Sequence, residues 1–347
     1  MASTDGSSGE HDPNEPGADE SSMRDRRDPA DDAGSDRHDE AGVTDRSAAD
    51  ARHGIVRLHD DPQVHEPVLI VQLDGWIDAS EAAKRAADAL DQACETTPVL
   101  RFDDDTYIDF RARRPILELR DGLSTDLVWS QIELRAGRAP DGTDVLVLRG
   151  PEPDMAWNRF GRAVATLAEE LGVTQMVAFG AYPFASPHTR RSRLSVSSPS
   201  LDVLARVPFL RSSVDVPAGV EALLEHALHA ARIPTIGLWA QVPHYAAGTD
   251  YPDASIALLD GLAEVTSISV PTTALAEDAA LQRTRLDEKL AESPELRALL
   301  ANLEDVWDRT VEHVPDGEGD AASDPELELR SGDELAAEIQ QFLRDRD

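Results

Sequence analysis

The sequence predicts an α/β protein: one three-layer α/β/α domain on a mostly parallel, mixed sheet, followed by a C-terminal helical appendage. Two observations carry this. Short continuous apolar runs recur along the chain, each of a length that suits a strand buried on both faces. Between them lie segments whose apolar residues fall at helical spacing, and such alternation implies a sheet covered by helices on both sides.

The first strand is "VLIVQL", Val68–Leu73. In the following "DASEAAKRAADALDQAC", Ala82, Ala86, Ala89, Leu90 and Ala93 have helical spacing, and Asp78 with Glu81 marks a capped start. "PVLRF" (Pro98–Phe102) is a further strand. In "VWSQIELRA" (Val128–Ala136), Gln131, Glu133 and Arg135 alternate with Ile132, Leu134 and Ala136, which predicts a strand with one wet face near a sheet edge. "DVLVLRG" and "AWNRFGRAVATLAEELG" repeat the strand–helix unit; Trp157, Phe160, Val164, Leu167 and Leu171 form one stripe, and Gly172 ends it. "QMVAFGAY" (Gln175–Tyr182), the helix "GVEALLEHALHAA" and "TIGLWAQV" (Thr235–Val242) complete the series. After Ser269 the pattern is wholly helical, in two helices broken at Ser293–Pro294.

Charge marks the ends of the domain. Of the formal net charge of −34, residues 1–52 hold 15 acidic against 6 basic side chains, and residues 312–347 hold 12 against 3. The predicted organisation is a disordered acidic tail over 1–52, the α/β/α domain over 53–270, the helical appendage over 271–311, an acidic linker over 312–330 and a short amphipathic helix over 331–347. In that last segment Ser331 and Glu334 form a capping box, and Leu335, Ile339, Phe342 and Leu343 share one face, a candidate partner-docking stripe. An acidic surface repels a phosphate backbone, so no nucleic-acid partner is expected. The single cysteine, Cys94, excludes an intrachain disulfide. No apolar run approaches the roughly 20 residues of a membrane helix, and "MASTDGSSGE" lacks a signal-peptide pattern. A cytoplasmic protein without a membrane partner is expected.

In open α/β sheets ligands bind beyond the carboxyl ends of the strands. The segments there are "DGWID", "GPEPD", "PFASPHTRRSR" and "PHYAAGTDYP". They bring Asp74, Glu152, Asp154, His188, Arg190, Arg191, His244 and Tyr245 toward one rim, the candidate site if the protein is an enzyme. Against this stands the plainer reading of solvated polar loops and constrained turns. His226 and His229 have a three-residue spacing but lie off the apolar stripe of their helix, so no metal is assigned to them. Asp103, Asp104 and Asp105 lack the alternate spacing and glycine of a calcium loop. Local pairing with the arginines of "FRARRP" is the preferred reading, and no cofactor is expected.

"DTYIDFRARRP", "LRGPEPDMAWNRF", "PHTR" and "VPHYAAGTDYP" occur in order, and on them the chain resembles the actinobacterial branch of the proteasome assembly chaperone family, second type, from about Ile55 to Val311. The resemblance implies a nucleoside phosphorylase and hydrolase-like three-layer fold. It also implies a non-enzymatic protein-binding or assembly role linked to proteasome subunits, and self-association with a trimer favoured. The chain ends in Asp345, Arg346 and Asp347, not in the hydrophobic–tyrosine–any-residue tail with which some relatives dock. The alternative is a small-molecule enzyme of nucleoside phosphorylase or hydrolase type acting at the rim.

Overall fold

The computed structural model describes residue 50 and residues 53–58, 62–291 and 293–312. The acidic tail, the linker after Glu312 and the amphipathic segment 331–347 expected above lie outside the described residues. The strands are β1 (Ile55–Arg57), β2 (Val68–Asp74), β3 (Thr97–Phe102), β4 (Ile116–Arg120), β5 (Leu123–Val128), β6 (Glu133–Arg138), β7 (Asp144–Pro151), β8 (Gln175–Phe184), β9 (Leu194–Ser197) and β10 (Thr235–Pro243). The helices are α1 (Ala82–Ala93), α2 (Asp104–Tyr107), α3 (Trp157–Glu170), α4 (Leu201–Leu204), α5 (Val220–Ala230), α6 (Pro252–Thr266), α7 (Thr273–Ala291) and α8 (Pro294–Glu312).

Eight strands form one sheet in the order β1, β3, β6, β7, β2, β8, β10, β9. The middle four, β7, β2, β8 and β10, are mutually parallel, and the rest are antiparallel. Burial on both faces is why the central strands read as unbroken apolar runs. Along β2, Val68 and Ile70 enter one core with α1 and α6. Leu69, Val71 and Leu73 enter the other with α3 and α5. The expected three layers are thus present, and α7 and α8 form the appendage.

Two local readings need correction. Within 128–136, Val128 ends β5 and β6 begins only at Glu133. Nor is β6 near an edge: it pairs with β3 and β7, because β1 and β3 extend the sheet beyond it. Its alternation does hold, with Leu134 buried and Glu133 bonded to Arg101 at 3.1 Å. At α1, Asp78 is the cap but Glu81 is not its reciprocal partner. The Asp78 carboxylate accepts the Ala83 and Lys84 N–H groups at 2.8 and 3.0 Å, reaching over a 3₁₀ turn in which Ser80 and Glu81 have φ of 62° and 51°.

The hairpin β4–β5 is a second, separate sheet that no apolar periodicity in the sequence marks. Its turn is Asp121–Gly122, both at positive φ (51° and 82°), the geometry of a two-residue hairpin connection. Ile116 and Leu123 are each 68% exposed, and Leu117, Leu119, Leu127 and Val128 are exposed with them.

Candidate functional site

The rim residues fall into two groups. The first gathers at the ends of β2 and β7. The Glu152 N–H donates to the Asp74 carbonyl at 2.6 Å. Its carboxylate accepts the Val220 N–H at 2.6 Å, so Glu152 caps α5 from across the sheet. Asp154 accepts from Arg113 Nε at 3.0 Å and from the Asp109 N–H at 2.9 Å, while Arg113 Nη2 donates to the Glu152 carbonyl at 3.4 Å. This corrects the expected local pairing of the arginine cluster. Arg113 bonds to Asp154 and Arg101 to Glu133, whereas Asp103 accepts the Thr106 hydroxyl just before α2. Gly75 fits the crowding: a Cβ there, at φ 144°, would lie 3.1 Å from both Arg113 and Glu152.

Beneath this group lies a carboxyl the rim reading does not include. Glu221, in the first turn of α5, is 5% exposed. Burial pushes its pKa up to about 7; its own N–H and that of Leu73 oppose the rise, and the Glu152 charge adds to it. Burial also raises Glu152, against the Val220 N–H and Arg113. One turn on, Glu225 is buried and likewise pushed to about 7 by burial, with its Oε1 accepting the Ser197 hydroxyl at 2.8 Å. Ser197 in turn accepts the Trp239 indole N–H at 3.0 Å. Trp239 lies across Gly180 of the neighbouring strand, where a Cβ would meet the ring at 2.3 Å. The signal for both glutamates is their four-residue spacing in register with Leu224 and Leu228.

The second group, at the ends of β8 and β10, is a latch. His188 is fully buried. Its backbone N–H donates to the Tyr245 hydroxyl at 2.8 Å, and its Nδ1 lies 2.8 Å from the same oxygen. Nε2 lies 3.0 Å from Asp287 Oδ1 on α7. A single assignment satisfies all three contacts: the Tyr245 O–H donates to Nδ1 and the Nε2–H donates to Asp287. Burial raises Tyr245 to about 12, which keeps the phenol protonated as a donor. Arg190 grips Asp308 of α8 with two bonds, at 2.9 and 2.8 Å, and Arg193 stacks 3.8 Å over the Trp307 ring. His244 packs edge-on to Tyr245, and burial lowers its pKa. Arg191 is exposed and turns away toward a groove beside α6 and α7. The residues that complete the latch, Asp287, Trp307 and Asp308, stand about 100 positions away in sequence, and no local spacing announces them. His226 and His229 are exposed on the outer side of α5.

The fold and rim define a three-layer α/β/α domain whose strand ends are capped by an ion-paired helical appendage. The PAC2 family model matches residues 72–290, and the chain belongs to that family. A Corynebacterium glutamicum protein of unknown function is 30% identical, with a TM-score of 0.71 over 76% of this chain and 100% of its own. A Mycobacterium tuberculosis protein of unknown function is 34% identical, with a TM-score of 0.68 over 75% of this chain and 90% of its own. A Mycobacterium tuberculosis proteasome-assembly chaperone homologue is 29% identical, with a TM-score of 0.63 over 67% of this chain and 99% of its own. No curated protein matches the chain. No helix among the described residues is long and apolar enough to cross a membrane.

Proposed function

We propose that the protein binds other proteins without enzymatic turnover, as an assembly chaperone linked to the proteasome and self-associated through its hairpin into a small ring, a trimer by family resemblance. The observation that carries this is the apolar surface of β4–β5. A lone two-stranded hairpin is marginally stable in water, and contiguous exposed apolar side chains mark an interaction surface. The similarity to a proteasome-assembly chaperone homologue supplies the class of partner. The latch supports binding over turnover, since His188 and Arg190, the best candidates for acid–base and anion chemistry, are engaged with Asp287 and Asp308.

The test is co-sedimentation with purified proteasome α and β subunits. The parent chain should travel with them, and a Leu119→Asp/Leu123→Asp variant should not. A parent chain that sediments apart from the subunits overturns the proteasome link. Turnover of a nucleoside or ester that is lost in His188→Ala overturns the non-enzymatic reading in favour of the phosphorylase or hydrolase alternative.

A further inference from the structure

Between α6, α7 and the segment around β9 runs a groove of about 1060 Å³. Leu194, Phe209, Ile256, Ala257, Ala276 and Ala279 supply its apolar part, with short side chains along the helical walls, and Thr189, Ser192, Thr272 and charged side chains make the rest of the lining polar. Its charges sort to the two ends. Helices α6 and α7 are joined by a short connection and run antiparallel, as the Arg283–Asp253 bond at 2.7 Å shows. Arg283, Arg191 and Arg193 therefore stand at the latch end. Asp260 and Glu264 stand at the other; Arg283 and Asp253 pair with each other and Arg193 lies on the Trp307 ring, while Arg191 is exposed.

We propose that this groove is the seat of the chain's own C-terminal segment, Ser331–Asp347, bound in cis as an amphipathic helix. The segment has the right apolar face, because Leu335, Ile339, Phe342 and Leu343 form a stripe about 12 Å long at 1.5 Å per residue. The α6 wall from Asp253 to Glu264 runs about 16 Å. Isolated helices of this length are marginal in water, so the stripe requires a surface to pack on, and a groove with apolar walls between two helices is a recurrent one.

Charge selects both the occupant and its direction. Glu338 borders the stripe, and Arg346 continues it, three residues after Leu343 and four after Phe342; Glu334, Asp345 and Asp347 fall off that face. Laid with its start at the latch, the segment sets Glu338 toward Arg191 and Arg346 beside Asp260 and Glu264. The opposite direction pairs like with like. The exit point of the body agrees. Trp307, one turn before the end of α8, stacks under Arg193 at the arginine end. Residues 313–330 are long enough to return from there, since even a flexible coil of that length averages roughly 20–25 Å end to end.

The inference is independent of the assembly role. Its test uses the full chain with p-benzoylphenylalanine in place of Phe342, prepared as a mixture of ¹⁵N-labelled and unlabelled protein, irradiated and mapped by mass spectrometry. The expected cross-links join the tail to α6 and α7 within one chain, without mixed-isotope products. Ala276→Trp/Ala280→Trp, at exposed positions on the α7 wall, should fill the groove and abolish them. Asp260→Arg/Glu264→Arg should abolish them too, and Arg346→Glu in that background should restore them. Cross-links to another surface, mixed-isotope products from a second copy, no cross-link, or a yield unmoved by the groove substitutions each overturn the proposal.

Discussion

Glu221 and Glu225 sit one turn apart in a helix pressed against the sheet, and both titrate near pH 7 because burial disfavours their charge. A carboxyl whose folded pKa lies above the ordinary 4.5 binds its proton more tightly in the folded state. Its stabilising contribution is therefore complete below about pH 4.5 and is lost as pH rises through about 7. Glu221→Gln/Glu225→Gln should melt with the parent near pH 4.5 and above it at pH 8, by on the order of 1–3 kcal/mol per site. Thermal melts from pH 4.5 to 8.5 check this; curves that coincide throughout would contradict it. Sequence spacing marks the stripe of α5 only in part, through Val220, Leu223, Leu224 and Ala227. The helix is covered on two sides, since Leu223 and Ala227 meet Gly161 of α3 while Glu221, Leu224, Glu225 and Leu228 are buried. A one-stripe reading leaves the glutamates on the wrong side.

The appendage is held by polar contacts as well as packing. Removing the fully buried His188 ring leaves a cavity and the half-buried Tyr245 hydroxyl without its ring partner, while the exposed Asp287 exchanges its donor for water, a change that costs about 2–4 kcal/mol, chiefly through the cavity. His188→Ala should lower the melting temperature and speed amide exchange in α7 and α8 while leaving α3 protected. Exchange that accelerates uniformly, or not at all, would show that the latch does not hold the helices. The two helices themselves are legible in the sequence, because Ser293–Pro294 interrupts a long run of helix-forming residues without other glycine or proline. What fastens them is not, because His188–Asp287 and Arg190–Asp308 are pairs set by the tertiary fold. The hairpin β4–β5 escaped for a different reason. Asp121–Gly122 is a turn signal, but both flanking strands are exposed, so no buried face imposes a period of two on Ile116–Val128.

At the scale of the molecule, the central strands, the helices on both faces and the appendage follow from the alternation of apolar runs and helical stripes, and the PAC2 match over residues 72–290 agrees with them. The use of the molecule rests on what its two cores leave outside. The hairpin presents Ile116, Leu119 and Leu123 to solvent while the sheet it departs from is already covered on both faces. In the role proposed above, that surface is satisfied first by copies of the chain itself, which closed symmetry permits. The most direct measurement is the mass of the full chain by light scattering at micromolar concentration. The account predicts about three times the 37.7 kDa of one chain, falling to the single-chain mass in Leu119→Asp/Leu123→Asp with the melting temperature unchanged. A parent chain that scatters as a monomer would contradict it.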